Sequence, residues 1–190
     1  AMHYNISKLS DLDIYLFKEG KHTKLYEKFG AHKMQHEGLD GVHFAVWAPN
    51  AQSVSVRGDF NDYATESHPL QLREDDSGIW EGFIEGVEEG LTYKYHIVSK
   101  FHDIVHEKSD PFAFYSEKPS KSASRVWSLD GYDWKDKGWM GERAKHNAHD
   151  APVSVYEMHL GSWMRKVEEE NRYLTYRELA VELLSYLKKM

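Results

Sequence analysis

The chain of 190 residues contains no cysteine, which excludes disulfide bonds and thiolate metal ligands and fits a reducing compartment. It also lacks an excess of positive charge, since 24 basic residues stand against 31 acidic ones and the formal net charge is -7. Affinity for nucleic acid comes mostly from clustered Lys and Arg on phosphates. We therefore expect no nucleic-acid partner.

Long hydrophobic runs are missing as well. No apolar run approaches the roughly 18 residues that a membrane span needs. The first residues, AMHYNISKL, have neither the basic start nor the apolar centre of a signal peptide. The sequence predicts a soluble, cytoplasmic protein with no membrane partner. Hydrophobic residues still make up 41% of the chain, which is enough to bury a core.

Apolar residues recur with a period of two from Val42 onward. The runs VHFAVWAP, SVSVRG, GIWEGFIEG and LTYKYHIV are short and are separated by glycine-rich turns. In the last run, Tyr93 and Tyr95 are predicted to point inward, and Lys94 and His96 outward. Alternating strands at intervals of about ten residues are typical of an antiparallel β-sandwich.

Segments of different character flank the predicted sandwich. Two short helical turns precede it, and each ends at a glycine, Gly20 and Gly30. A polar and aromatic stretch ending at Pro152 follows it and is interpreted as a linker. VSVYEMHLGSW then suits a strand buried on both faces, and Thr175 and Glu178 predict a capping box before an amphipathic helix. This strand–helix unit is predicted to open a second, larger parallel α/β fold.

Histidines are frequent, and two groups have spacings that could bind zinc on a helix: His32 with His36, and His146 with His149 and Asp150. The first pair has no third well-placed ligand, and the second group lies in the polar linker. We therefore expect no metal site.

Four long motifs occur in a characteristic order: FAVWAPNAQSVSVRGDFNDY, SGIWEGFIEGVEEGLTYKYHI, KSDPFAF and YEMHLGSWMR. Their order and spacing resemble those of glycogen (1,4-α-glucan) branching enzymes. The resemblance implies a helical lead-in over residues 1–34 and a carbohydrate-binding module of the isoamylase N-terminal type over residues 35–130. A linker over residues 131–151 and the start of an incomplete α-amylase-type barrel over residues 152–190 follow. The fold is thus predicted to be mainly β: an immunoglobulin-like antiparallel β-sandwich followed by the first strand–helix unit of a truncated (β/α)₈ barrel.

The resemblance also implies the chemistry of the parent protein. The family breaks an α-1,4 link, holds the glycan on an aspartate and passes it to a glucose 6-hydroxyl, forming an α-1,6 branch. Such a retaining mechanism uses two carboxyl groups about 5–5.5 Å apart and needs no metal or organic cofactor. The family's catalytic acids lie on later barrel strands, so no residue of this chain is assigned a catalytic role and the chain alone is predicted to be inactive. The expected partners are an α-glucan (glycogen or maltooligosaccharides) and the missing catalytic barrel of the same protein.

The turn GDFNDY, residues 58–63, carries the candidate binding site. A turn needs Gly, Asn or Asp but no aromatic residue at its exit, and Asn61 is interpreted as a turn residue bound to its own backbone. In glycan-binding relatives this turn reads F-N-x-W, with the Trp ring as the sugar platform, and Tyr63 takes that place here. Lys94 matches a sugar-contacting lysine of the family, and Phe101 is the nearest match to a second aromatic residue.

Several alternatives stay open at this point. The module could be only a structural partner of the barrel, since Tyr offers less stacking surface than Trp. The parent could also be a debranching enzyme or a maltooligosyl-trehalose hydrolase, although SYLKKM after LGSW favours the branching enzyme. A non-catalytic glycan-binding regulatory domain would have no use for the strand and helix predicted after Pro152.

Overall fold

A computed structural model describes residues 1–102 and 104–190, which divide into two compact units, Ala1–Tyr132 and Asp133–Met190. In chain order the first unit contains β1 (Met2–His3), α1 (Asp11–Lys18), a 3₁₀ turn (Leu25–Glu27), β2 (Gly30–His36), β3 (Leu39–Trp47), β4 (Ala51–Gly58), a 3₁₀ turn (Asp59–Asn61), β5 (Gln71–Leu72), β6 (Ile79–Glu85), β7 (Thr92–Ser99), β8 (Val105–Lys108), β9 (Tyr115–Ser116) and β10 (Ser124–Arg125).

The strands of the first unit form two antiparallel sheets. The first has the order β1–β6–β3–β2 with β5 added to β6, and the second has the order β4–β7–β10–β9 with β8 added to β7. Inward side chains of both sheets fill one core, and its buried members include Val42, Phe44, Val46, Val54, Val56, Trp80, Ile84, Tyr93, Tyr95 and Val126. The prediction of a mainly β, antiparallel sandwich is confirmed.

The lead-in is part of this sandwich. Leu9, Ile14 of α1 and Phe29 pack on Ala45 and Ile79, on the outer face of the first sheet. Residues 41–46 of β3 are therefore buried on both faces, although the sequence alternates. In addition, β1 pairs with β6, and β2 begins at residue 30, before the boundary predicted at residue 35.

Helix α1 begins with a capping box between Ser10 and Asp13. The carboxylate of Asp13 accepts the Ser10 backbone N–H at 2.8 Å and lies 2.7 Å from His22 Nε2 and 3.2 Å from Lys28 Nζ. Burial alone would raise the pKa of Asp13, but the hydrogen bonds from Ser10, His22 and Lys28 outweigh it and hold that pKa well below its ordinary value. The charged network ties the start of α1 to the segment that leads into β2.

The irregular segment after β8 is fixed to the core through Asp110. Its Oδ2 atom accepts hydrogen bonds from the hydroxyls of Tyr93 at 2.7 Å and Tyr95 at 2.9 Å, and its Oδ1 atom accepts the backbone N–H of Phe112 at 2.8 Å. Burial raises the pKa of Asp110, and these hydrogen bonds offset the rise only in part. Two core tyrosines thereby have their hydroxyls paired inside an otherwise apolar interior.

The second unit contains α2 (Lys137–His146), α3 (Leu160–Trp163), β11 (Arg165–Lys166), β12 (Arg172–Tyr173) and α4 (Tyr176–Leu187). The capping box of Thr175 and Glu178 at the start of α4 is confirmed. The segment interpreted as a linker contains α2, which the sequence did not predict.

The strand predicted near Val153 is absent from the part of the chain that the structure describes. Residues 152–159 form no regular element, and Val153 and Val155 are 77% and 87% exposed. A parallel strand is held by hydrogen bonds to neighbouring strands, and the second unit pairs only β11 with β12. The start of a barrel therefore stays a prediction.

Within residues 1–102 and 104–190, no helix has both the length and the apolar character needed to cross a membrane.

Candidate functional site

The turn that follows β4 is built by its own polar side chains. Asn61 Oδ1 accepts the Gly58 backbone N–H at 2.9 Å, and Asn61 Nδ2 donates to the Val56 carbonyl at 3.0 Å. Asp59 accepts the backbone N–H of Thr92 at 2.7 Å. A Cβ atom on Gly58 would lie 2.2 Å from the Thr92 carbonyl oxygen, so only glycine fits there. The interpretation of Asn61 as a turn residue is confirmed.

Tyr63 leaves this turn with a left-handed backbone (φ 57°) and folds back over the second sheet. Its hydroxyl hydrogen-bonds to that of Thr92, the first residue of β7. The Arg57 guanidinium carbon lies 5.6 Å from the centre of the Tyr63 ring. The ring is therefore half-buried and held at both its hydroxyl and one face, rather than freely exposed.

Lys94 lies on the same outer face. It is the register partner of Arg57, because β4 and β7 pair antiparallel. Its Nζ atom donates to Ser122 Oγ at 2.8 Å. Directly opposite residues of neighbouring strands share a sheet face, so the structure brings Lys94, Arg57 and the Tyr63 ring together.

Two further residues of this face were not singled out from the sequence as site residues. His96 and Glu107 are register partners of β7 and β8. Glu107 Oε1 lies 2.5 Å from His96 Nδ1 and accepts from Arg57 Nη1 at 2.8 Å. Burial would raise the pKa of Glu107, but the hydrogen bonds from His96 and Arg57 outweigh it and lower that pKa. The outward position of His96 follows from the alternation of β7, whereas no sequence pattern predicted β8.

We call this surface the Tyr63 face; it consists of Arg57, Tyr63, Thr92, Lys94, His96, Glu107 and Ser122. It presents an aromatic ring, a guanidinium group, an ammonium group, an imidazole, a carboxylate and the Ser122 hydroxyl on one side of the second sheet, while the Thr92 hydroxyl is buried beneath Tyr63. Such a mixture can contact both the apolar ring face and the hydroxyl edge of a sugar.

Phe101 lies beyond the His96 end of this face, away from the Tyr63 ring. It follows β7 in the turn toward β8 and is 58% exposed, and its backbone N–H donates to Ser99 Oγ at 3.0 Å. At about 3.3 Å per residue, the strand separates Ser99 from Thr92, beside Tyr63, by roughly 23 Å. The structure therefore places Phe101 far from the Tyr63 ring, and its part in sugar binding stays a prediction.

The histidines at zinc-like spacing in the first unit have other partners. His32 Nε2 lies 2.7 Å from the Phe29 carbonyl oxygen, and His36 Nε2 lies 2.9 Å from Asn5 Oδ1. Both are in β2, a strand rather than the helix that the zinc spacing presumes. No group of three or more metal-ligating side chains that could hold an ion was found among residues 1–102 and 104–190.

Comparison with known proteins first indicates the class of domain that the chain contains. Residues 28–113 match the family model of carbohydrate-binding module 48, the isoamylase N-terminal domain. This range includes β2 to β8 and most of the Tyr63 face. The first unit therefore carries a module of this family.

The particular relatives are 1,4-alpha-glucan branching enzymes. The chain is 54% identical to GlgB of Albidiferax ferrireducens over 95% of its own length and 28% of that protein. It is 50% identical to GlgB of Aquifex aeolicus over 97% of its length and 29% of that protein. The chain thus spans under a third of these relatives and corresponds to their N-terminal part.

A looser likeness links the chain to a solved structure of Klebsiella pneumoniae pullulanase complexed with maltotriose. The sequences are 28% identical, the TM-score is 0.44, and the match covers 60% of this chain and 11% of the pullulanase. The superposition is too loose to transfer individual residues.

Proposed function

We propose that the chain is the N-terminal part of a 1,4-α-glucan branching enzyme and that its first unit holds an α-glucan on the Tyr63 face. The names of the relatives support the branching enzyme over a debranching enzyme, a maltooligosyl-trehalose hydrolase or a regulatory domain. The match to a carbohydrate-binding module supports a glucan ligand.

The observation that carries the binding proposal is that Tyr63 and Lys94, two candidates far apart in sequence, lie on one face with Arg57 between them. A glucose unit stacks against the Tyr63 ring while its hydroxyls replace water around the neighbouring charges. Arg57 and Lys94 donate to sugar oxygens, and Glu107 accepts from sugar hydroxyls. Because Arg57 already covers one face of the ring, at most one face remains for a sugar.

The chain carries out no chemistry in this proposal. Transfer of a glucan segment through a covalent intermediate needs a nucleophilic carboxylate and an acid/base carboxyl group about 5–5.5 Å apart. We assign neither role to any residue of this chain, and no cofactor is needed. The Tyr63 face instead keeps a polymeric substrate near the reacting groups of the parent enzyme, which raises the local concentration of chain ends.

Native gels cast with and without glycogen test the binding. We expect glycogen to retard the chain, and Tyr63→Ala or Lys94→Ala to remove most of the retardation. Tyr63→Phe keeps the ring and loses only the bond to Thr92, so it should remain retarded.

Phe101→Ala tests the third candidate, an exposed aromatic ring that lies far from the Tyr63 ring. Retardation equal to that of the unsubstituted chain would exclude Phe101 from the site, and weaker retardation would include it. Trp139→Ala, which removes an exposed aromatic ring of the second unit, is the control and should leave the retardation unchanged. Equal mobility of the unsubstituted chain with and without glycogen would refute glucan binding.

A further inference from the structure

A second aromatic surface lies on the same side of the second sheet. Tyr115 of β9 and Trp127, which follows β10, stack with ring centres 5.0 Å apart and an angle of 30°. The two side chains are 46% and 40% exposed. Tyr115 is the register partner of Arg125, and Trp127 lies two residues beyond Arg125, so all three share one face.

These rings form one wall of a cleft of about 390 Å³. Its other side is the loop 117–121, which contributes Lys118 and Lys121, and Arg125 also lines it. Arg125 is held in place, because its Nη1 atom donates to the Gly90 carbonyl at 2.8 Å. The loop is closed by Glu117, whose carboxylate accepts the Ala123 backbone N–H at 3.1 Å. The cleft therefore combines stacked aromatic rings with a rim of hydrogen-bond donors.

Two connections make the cleft continuous with the Tyr63 face. Arg125 is also the register partner of Thr92, whose hydroxyl binds Tyr63. Two strand spacings of about 4.8 Å place Tyr115 roughly 10 Å from Thr92 across the sheet. Ser122, directly after the loop, accepts the hydrogen bond of Lys94. A ligand bound at the Tyr63 face can therefore extend to the cleft without leaving the sheet.

We propose that the cleft between the Tyr115–Trp127 pair and the loop 117–121 is a second α-glucan subsite, which makes the module prefer longer glucans. The inference rests on the proposed glucan binding at the Tyr63 face. Stacked aromatic rings with exposed surface suit the apolar faces of glucose units, and the cationic rim suits their hydroxyls. A short oligosaccharide occupies the Tyr63 face alone, whereas a longer one also contacts the Trp127 ring.

Calorimetric titration of the full chain with maltotriose and with maltoheptaose separates the two subsites. We expect Trp127→Ala to weaken maltoheptaose binding about tenfold and to leave maltotriose binding unchanged. Lys94→Ala should weaken the binding of both sugars. Tyr115→Ala is a second variant of the cleft, and the thermal midpoint of each variant identifies any that has lost its fold. Trp139→Ala removes a tryptophan of the second unit that is more exposed than Trp127 and should change neither affinity.

The outcomes distinguish this inference from the proposed function. If the unsubstituted chain binds neither sugar, both fail. If it binds both and folded Trp127→Ala and Tyr115→Ala retain full affinity for maltoheptaose, only the second subsite is refuted. Equal weakening of both sugars by Trp127→Ala would refute the preference for longer glucans, because it would make the cleft part of a single short site.

Discussion

The two units of the chain differ sharply in how many of their apolar side chains are buried. The first buries aromatic and branched residues between two sheets and under α1. In the second, Leu179 is the single buried hydrophobic side chain among the residues that the structure describes, while Val153, Val155 and Val181 are at least 69% exposed. Helix α4 therefore has a sound local start signal, the capping box of Thr175 and Glu178, but little packing.

The second unit is instead rich in local polar contacts. Arg172 donates to both carboxylate oxygens of Glu178 at 3.0 Å, and Glu178 also closes the capping box with Thr175. The hydrogen bonds from Arg172 and Thr175 lower the pKa of Glu178. Exposed ion pairs contribute little to stability, and helices depend mainly on tertiary packing. Regular elements thus form in the second unit although almost no hydrophobic side chain is buried there, and we expect them to open more easily than the strands of the first unit.

Hydrogen exchange gives the largest expected contrast. Amides of β3, β6 and β7 should exchange at least on the order of a thousandfold more slowly than those of α4, because core strands open only with the whole unit whereas poorly packed segments open locally. Mass spectrometry of peptides from the intact chain measures both regions in one sample. Protection in α4 equal to that in β7 would contradict the contrast.

A substitution at Asp110 tests how strongly the first unit depends on its buried contacts. Asp110→Ala leaves the hydroxyls of Tyr93 and Tyr95 without their acceptor and should lower the free energy of unfolding by about 3 kcal/mol. Urea unfolding followed by tryptophan fluorescence measures it. Asp110→Asn is the control, since it retains one acceptor oxygen and should cost less. An alanine variant no less stable than the asparagine variant would show that the hydroxyls find other partners.

In the first unit, the direction of a side chain could be predicted well where it depends only on the alternation within one strand. Alternation correctly placed Tyr93 and Tyr95 inside and Lys94 outside. It failed for His43, which occupies an outward position and is nevertheless fully buried, because α1 and the N-terminal residues cover that side of the sheet. Whether a segment distant in sequence covers the outer face of a strand cannot be predicted from the alternation of apolar and polar residues within that strand.

In the candidate site, too, some positions could be predicted from the sequence and others could not. The pairing of Tyr63 with Lys94 as candidates came from the resemblance to the family, and the alternation of β7 predicted only that Lys94 points outward. The length of the β7–β8 hairpin decides where Phe101 lies, and the sequence pattern did not delimit β8. The predicted strand near Val153 failed for a related reason: its composition suited burial on both faces, but burial depends on neighbours that the described residues do not supply.

The smallest expected effects come from a matched pair of helix caps. Ser10 and Thr175 each close a capping box with an acidic residue three positions later. Ser10→Ala should cost about 1 kcal/mol and lower the thermal midpoint of the first unit by roughly 4 °C, because α1 opens together with the sandwich. Thr175→Ala should reduce the helical circular-dichroism signal and leave that midpoint unchanged, because α4 frays independently of it.

Calorimetry for the midpoint and circular dichroism at low temperature for helix content measure both variants. Ser10→Thr and Thr175→Ser keep the capping oxygen and serve as controls. Equal shifts of the midpoint for the two alanine variants would mean that α4 unfolds as one cooperative body with the sandwich. The poor burial of the second unit would then be no guide to its stability, and the contrast between the two units would be lost.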